Sequence, residues 1–311
     1  MRQIIFFLTC IITIGGLAQG SGNSESDIHL SVVTPSTMEG LSSSQISRIE
    51  SKLQQMVTNY GISGEGYFII YPKYEIYDES LIEGMRNMHL LEADLNLIVK
   101  EVQTGKVYNT YSQNITGDGY SKKKAIDQSI SQIKTRGPEI EAFLAETKQK
   151  ILDYYRSNCD QFYSEAGTMI GQKRYREAIA LLYPVPRGTG NACYNKVQKR
   201  LNEAYTGYMN ETCEKNLVKA RNAIAENNDK TALEALDEID PESNCYSSAQ
   251  KLNQKLNVKL GGRVQAGVST ETSFGASSDK VEKKRSHKIE VIAEAQYRSR
   301  HQMEMANLTG N

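Results

Sequence analysis

The chain has 311 residues, with 37 Lys and Arg against 37 Asp and Glu. So even a balance gives no global field toward a polyanion, which excludes nucleic acid as an expected partner. The length suffices for two domains, and 18 tyrosines without a tryptophan suit a protein with amphipathic binding faces.

Residues 1–18 read as a signal peptide. Arg2 is the single charge before Glu25, Ile4 to Ala18 is apolar or small, and Gly16-Leu17-Ala18 sets small residues at the −3 and −1 positions of a cleavage site. The apolar run is short against a hydrocarbon layer about 30 Å thick, which disfavours an uncleaved anchor. Cys10 follows Phe7-Leu8-Thr9, a poor lipid-attachment motif. Residues 19–27 form a polar, flexible mature N-terminus.

Residues 28–137 are expected to make a small α/β domain. Ile28 to Val33 reads as a short strand. Ser42 to Ser44 supply caps for a helix carrying Ile46, Ile49, Leu53, Met56 and Val57, stopped by Gly61. Tyr67 to Tyr71 reads as a second strand ending near Pro72, and Ala93 to Val102 as a third. Thr104-Gly105-Lys106 turns the chain into a fourth strand, Val107 to Ile115. Gly117-Asp118-Gly119 follows, and Ser121 caps a helix carrying Ala125, Ile126, Ile130 and Ile133. The predicted fold class is α+β, with the order strand, helix, strand, strand, strand, helix, and the helices on one face of the sheet.

This stretch resembles the periplasmic α/β module of curli-secretion-channel (CsgG-like) proteins and of TolB N-terminal-domain-like proteins. The resembling pieces are the strand from Glu92 to Val102, the hairpin Glu101 to Val107, and Gly117-x-Gly119-x-Ser121 entering a helix with Ala125. The resemblance implies a non-catalytic part of an envelope assembly and transfers no functional residue.

Residues 138–260 are expected to form a helical-repeat domain. Gly137-Pro138 breaks the preceding helix, and Pro138 opens one predicted to run past Cys159. The four cysteines of the mature chain then fall into two copies of one pattern, Cys159 with Cys193-Tyr194 and Cys213 with Cys245-Tyr246. An offset of 54 residues aligns Cys159 with Cys213, Ala166 with Ala220, Ile170 with Ile224, Ala178 with Ala232 and Leu182 with Leu236. Four cysteines allow three connectivities. The duplication selects Cys159–Cys193 and Cys213–Cys245, each closing a helical hairpin in an oxidising compartment. Gln172 to Ala178 and its counterpart Asn227 to Ala232 resemble the turn and second-helix start of a tetratricopeptide repeat.

Residues 261–311 comprise a Gly/Ser/Thr-rich linker and an amphipathic C-terminal segment. Ile289, Ile292, Ala293 and Tyr297 share one side of a predicted helix from Ile289 to Met305. The charged run before it reads first as a solvated face, with weak membrane-surface contact by residues 281–300 as the alternative.

No catalytic constellation, cofactor site or metal site is read from the chain. There is no Cys-x-x-Cys, the four histidines lie outside the repeats, and Gly61-x-x-Gly64-x-Gly66 precedes a strand where a phosphate cradle would follow one. Glu92 and Asp94 share a strand face with no cleft to act in. The expected function is a non-enzymatic, exported scaffold of the bacterial cell envelope, in the periplasm or at the surface. It would hold protein partners through the helical repeats, with Tyr163, Tyr175, Tyr194 and Tyr246 as the candidate contact residues. A structural component of an extracellular or mobile-element-encoded assembly is the alternative, and a hydrolase with an inter-domain site comes third. Nothing in the chain names a substrate or an oligomeric state.

Overall fold

The computed structural model describes residues 28–64, 66–261 and 285–299. The expected leader and mature N-terminus, most of the expected linker and the end of the predicted C-terminal helix lie outside the described residues. The first elements are β1 (Leu30–Val32), α1 (Ser43–Asn59), β2 (Phe68–Ile82), β3 (Met88–Glu101), β4 (Val107–Gly119) and α2 (Lys122–Ser131). Their order is the predicted one, and the fold class is α+β. The strands form one sheet in the order β1-β2-β3-β4, with β1 parallel to β2 and the other pairs antiparallel.

Alternation along β3 fixes which face is covered. Leu91, Ala93, Leu95, Leu97 and Val99 are buried, and they meet Ile49, Leu53 and Met56 of α1 and Ala125, Ile126 and Ile130 of α2. The residues between them, Glu92, Asp94 and Asn96, belong to the polar opposite face, where Tyr77 donates to Glu92 at 2.8 Å. Buried Gln45 ties the two helices together. Its Oε1 accepts from the Ser42 amide at 2.9 Å, and its Nε2 donates to Asp127 at 3.1 Å.

Two strands run further than the sequence suggests. β2 passes through Pro72 to Ile82. Its pairing with β1 ends at Ile70, whose carbonyl accepts from Val33 N at 3.0 Å. Main-chain groups two residues apart on a strand point the same way, so the missing N–H of Pro72 falls on the open edge and removes no bond to β3. β4 extends past Ile115 to Gly119 because its glycines let α2 cross closely. A Cβ on Gly117 would stand 2.0 Å from the Ala125 carbonyl oxygen, and one on Gly119 2.7 Å from Lys124 Cβ. The Gly-x-Gly-x-Ser motif is therefore a close crossing followed by a cap, with Ser121 Oγ accepting from the Lys124 amide at 3.3 Å.

The helical part begins with α3 (Pro138–Ser157) and α4 (Cys159–Gly171). The single helix expected through Cys159 is two. The Asn158 side chain donates to the Tyr154 carbonyl at 2.8 Å, competing with the helical ladder. Next come α5 (Tyr175–Leu182), a 3₁₀ turn (Arg187–Thr189), the 35-residue α6 (Asn191–Ala225), α7 (Asp229–Asp237) and α8 (Tyr246–Gly261). α6 fuses the last helix of the first unit with the first helix of the second.

The duplication is visible in the backbone. Lys173 and Asn227, 54 residues apart, are the two non-glycine residues of positive φ among the described residues, at 59° and 58°. Both sit in the same pattern. Arg174 N donates to Met169 O at 2.9 Å, and Asn228 N donates to Ala223 O at 2.8 Å. Val185 N to Leu182 O and Ile239 N to Leu236 O repeat the correspondence, each at 3.2 Å. Disulfides join Cys159 to Cys193 and Cys213 to Cys245.

One hydrophobic core runs from the sheet through Ile140, Phe143 and Ile151 of α3 into Phe162, Ala178, Leu182 and Leu201. The second unit has its own core of Leu217, Leu236, Ile239 and Leu256 with five alanines. A helix over 285–299, α9, packs back on the body. Ile289 and Ala293 are buried in the main core, while Lys288 pairs with Asp240 and Arg285 with Glu242 of the second unit. At those two residues the basic run is engaged with the protein itself. No helix among the described residues is long and apolar enough to cross a membrane.

Candidate functional site

A cavity of about 430 Å³ opens where three parts of the chain meet. One wall is the entry to β1 and β2, with His29 and Tyr67. The second is the turn after α5, from Tyr183 to Arg187, together with Tyr194, Gln198 and Asn202 of α6. The third is α9, with Glu290, Glu294 and Tyr297. Tyr67 is the centre of an aromatic group, its ring 5.6 Å from Tyr183 and 5.2 Å from Tyr297, both edge to face.

Burial raises the Tyr67 hydroxyl well above its ordinary pKa, and neighbouring Tyr183, Glu294 and Glu290 add to the effect. Burial likewise pushes Tyr183 up to about 12, with Glu290 and Glu294 contributing. Both hydroxyls therefore stay protonated and act as donors. The Tyr67 hydroxyl and His29 Nδ1 are buried with no hydrogen-bond partner among the described residues.

A second polar cluster lies beneath the hairpin turn. Glu101, at the end of β3, is buried, and its carboxylate receives three hydroxyls: Tyr155 at 2.8 Å, Thr104 at 2.9 Å and Tyr108 at 3.2 Å. Burial raises its pKa, and the hydroxyl donors and Lys106 act against that shift. Lys106 Nζ lies 4.3 Å from the Tyr154 ring centre. The cluster fastens α3 to the sheet. Every member has a partner, as a buried network requires.

The four tyrosines singled out in the sequence are half-buried and do not form one face. Tyr163 lies beneath Arg200 and Lys196, at 3.9 and 4.7 Å from its ring centre. The Tyr175 ring lies on Gly207 of α6, where a Cβ would stand 2.2 Å from it. Tyr246 packs on the second core. Only Tyr194 lines the cavity, with Arg187 Nε donating to its hydroxyl at 3.3 Å. Tyr67, Tyr183 and Tyr297 escape sequence reading because they lie more than a hundred residues apart and share no motif.

Among the described residues no group of three or more His, Cys, Asp or Glu could hold a metal ion. A different surface stands out at the β2–β3 hairpin, whose end carries exposed Leu81, Ile82 and Met85. β2 is exposed from Tyr77 to Ile82, beyond the cover of the helices.

Comparison with family models gives no match, and comparison with curated proteins gives none either. Among solved structures, a minor lipoprotein of Acinetobacter baumannii aligns at 15% identity over 37% of this chain and 92% of its own, with a TM-score of 0.27. A protein of Caulobacter crescentus CB15 described as a lipoprotein aligns at 11% identity over 39% of this chain and 83% of its own, with a TM-score of 0.23. At scores this low, neither likeness carries an argument about fold or function.

Proposed function

We propose that the protein is an exported, non-enzymatic scaffold of the cell envelope that holds protein partners. The observation that carries the reading is the duplicated pair of helical units, each closed by its own disulfide and both strung on α6. Disulfides of this kind persist in oxidising compartments, which agrees with the leader read from the sequence. A rigid array of this kind presents fixed surfaces and needs no moving part.

The hairpin end supplies the partner contact that the geometry favours. Leu81, Ile82 and Met85 are large apolar side chains held in water at the end of an otherwise polar ribbon. Apolar groups gathered at a protruding tip are a common form of docking surface.

Site-specific photocrosslinking of the full chain in its native cells tests this. A crosslinker at Met85 should yield a discrete product, and one at Val258 on α8 should not. An absence of any product at positions 81, 82 and 85, in protein shown to carry both disulfides, refutes the scaffold reading.

A further inference from the structure

The cavity at the seam of sheet, α5–α6 turn and α9 goes beyond the scaffold reading and does not depend on it. We propose that it binds an uncharged, hydroxyl-rich ring compound of the carbohydrate class.

Four observations converge on this ligand. First, two buried polar atoms without a partner among the described residues, the Tyr67 hydroxyl and His29 Nδ1, both belong to residues lining this cavity. Buried polar groups in folded proteins are paired in the great majority of cases, so two orphans in residues that line one cavity mark a place where a small side-chain shift lets a ligand supply the bonds. Second, Tyr67, Tyr183, Tyr194 and Tyr297 offer aromatic surface on three walls. The C–H faces of a pyranose ring pack on such rings while its hydroxyls stay free to bond.

Third, the polar groups are of both kinds. Glu290 and Glu294 accept, the tyrosine hydroxyls donate, and the amides of Gln198 and Asn202 do both. A sugar hydroxyl is donor and acceptor at once and uses such a mixture fully. Fourth, most of the lining charges are paired within the protein. Arg298 lies 3.5 Å from Glu294, and Arg285 pairs with Glu242 at 2.8 Å. With both signs present in the lining and most of them engaged, the cavity does not single out an ion of either sign. The volume falls inside the range of roughly 300–1,000 Å³ found for small-molecule sites.

Saturation-transfer NMR on the full mature chain is the test. The probes are cellobiose, maltose and N,N′-diacetylchitobiose, with glucosamine and galacturonate as charged counterparts. Chitohexaose distinguishes a glycan strand from a free sugar. At least one neutral sugar should show transfer to its ring protons, with a dissociation constant in the millimolar range or tighter.

Tyr67→Phe removes one hydroxyl and nothing else. It should weaken binding by about tenfold, the worth of one good hydrogen bond. It should also raise the melting temperature of the sugar-free protein, because a buried hydroxyl without a partner is deleted. Glu294→Gln, a half-exposed change on α9, should weaken binding in the same direction without affecting the main core. The proposal is overturned if no neutral sugar binds, if a charged counterpart binds more tightly than every neutral one, or if both variants bind as the parent does.

Discussion

Removing the two disulfides one at a time separates the two cores. The bridges close loops of similar size, with sequence separations of 34 and 32 residues. The chain-entropy relation gives about 3.7 kcal/mol for each at 25 °C. Equal entropy does not mean equal consequence. Cys159 belongs to the main core with the sheet, α3 and α4, whereas Cys213 and Cys245 belong to the small second core with its five alanines. Cys213→Ala with Cys245→Ala should therefore let α7 and α8 open without the sheet. Native-state hydrogen exchange reads this directly. A loss of 3.7 kcal/mol corresponds to about 500-fold faster exchange of their amides, while amides of β3 keep their protection. Cys159→Ala with Cys193→Ala should instead lower the protection of α3, α4 and the sheet together. If both double variants lower protection uniformly over the whole chain, the division into two cores is wrong.

Further predictions follow from single contacts. Gly117→Ala forces a Cβ to within 2.0 Å of the Ala125 carbonyl oxygen and should cost about 1–3 kcal/mol or more in urea unfolding. Gly105→Ala meets open space at φ +68° and should cost about 1 kcal/mol; equal losses would refute the close-crossing account. Glu101 has a folded pKa above the ordinary 4.5, so the folded state binds the extra proton between the two values. Stability from this group is thus lost as pH rises from 4.5 through the raised value, and Glu101→Gln should flatten that fall. Urea midpoints of parent and variant across that window check it, and a constant difference between them at every pH would contradict it.

The element order of the α/β part was legible because hydrophobic period and turn residues are local signals. Ile46, Ile49 and Leu53 mark one helix face, and Thr104-Gly105-Lys106 marks a hairpin. The reach of β2 was not legible, because Pro72 is tolerated only at an edge, and edge position is set by the strand order. Nor was the break at Asn158, which turns on one side-chain hydrogen bond. Cysteine spacing pointed to the duplication, whereas the union of two helices in α6 required a continuous ladder that no breaker interrupts. The cavity was invisible for a further reason. His29, Tyr67, Tyr194 and Glu294 become neighbours only after the ends of the chain are brought together.

The 35 residues of α6 amount to a rod about 52 Å long. Cys193 and Cys213, one from each bridge, are separated by 20 residues along it, or about 30 Å. No joint interrupts that span. The two bridged units therefore hang from one continuous helical ladder, and their spacing is set by that helix alone.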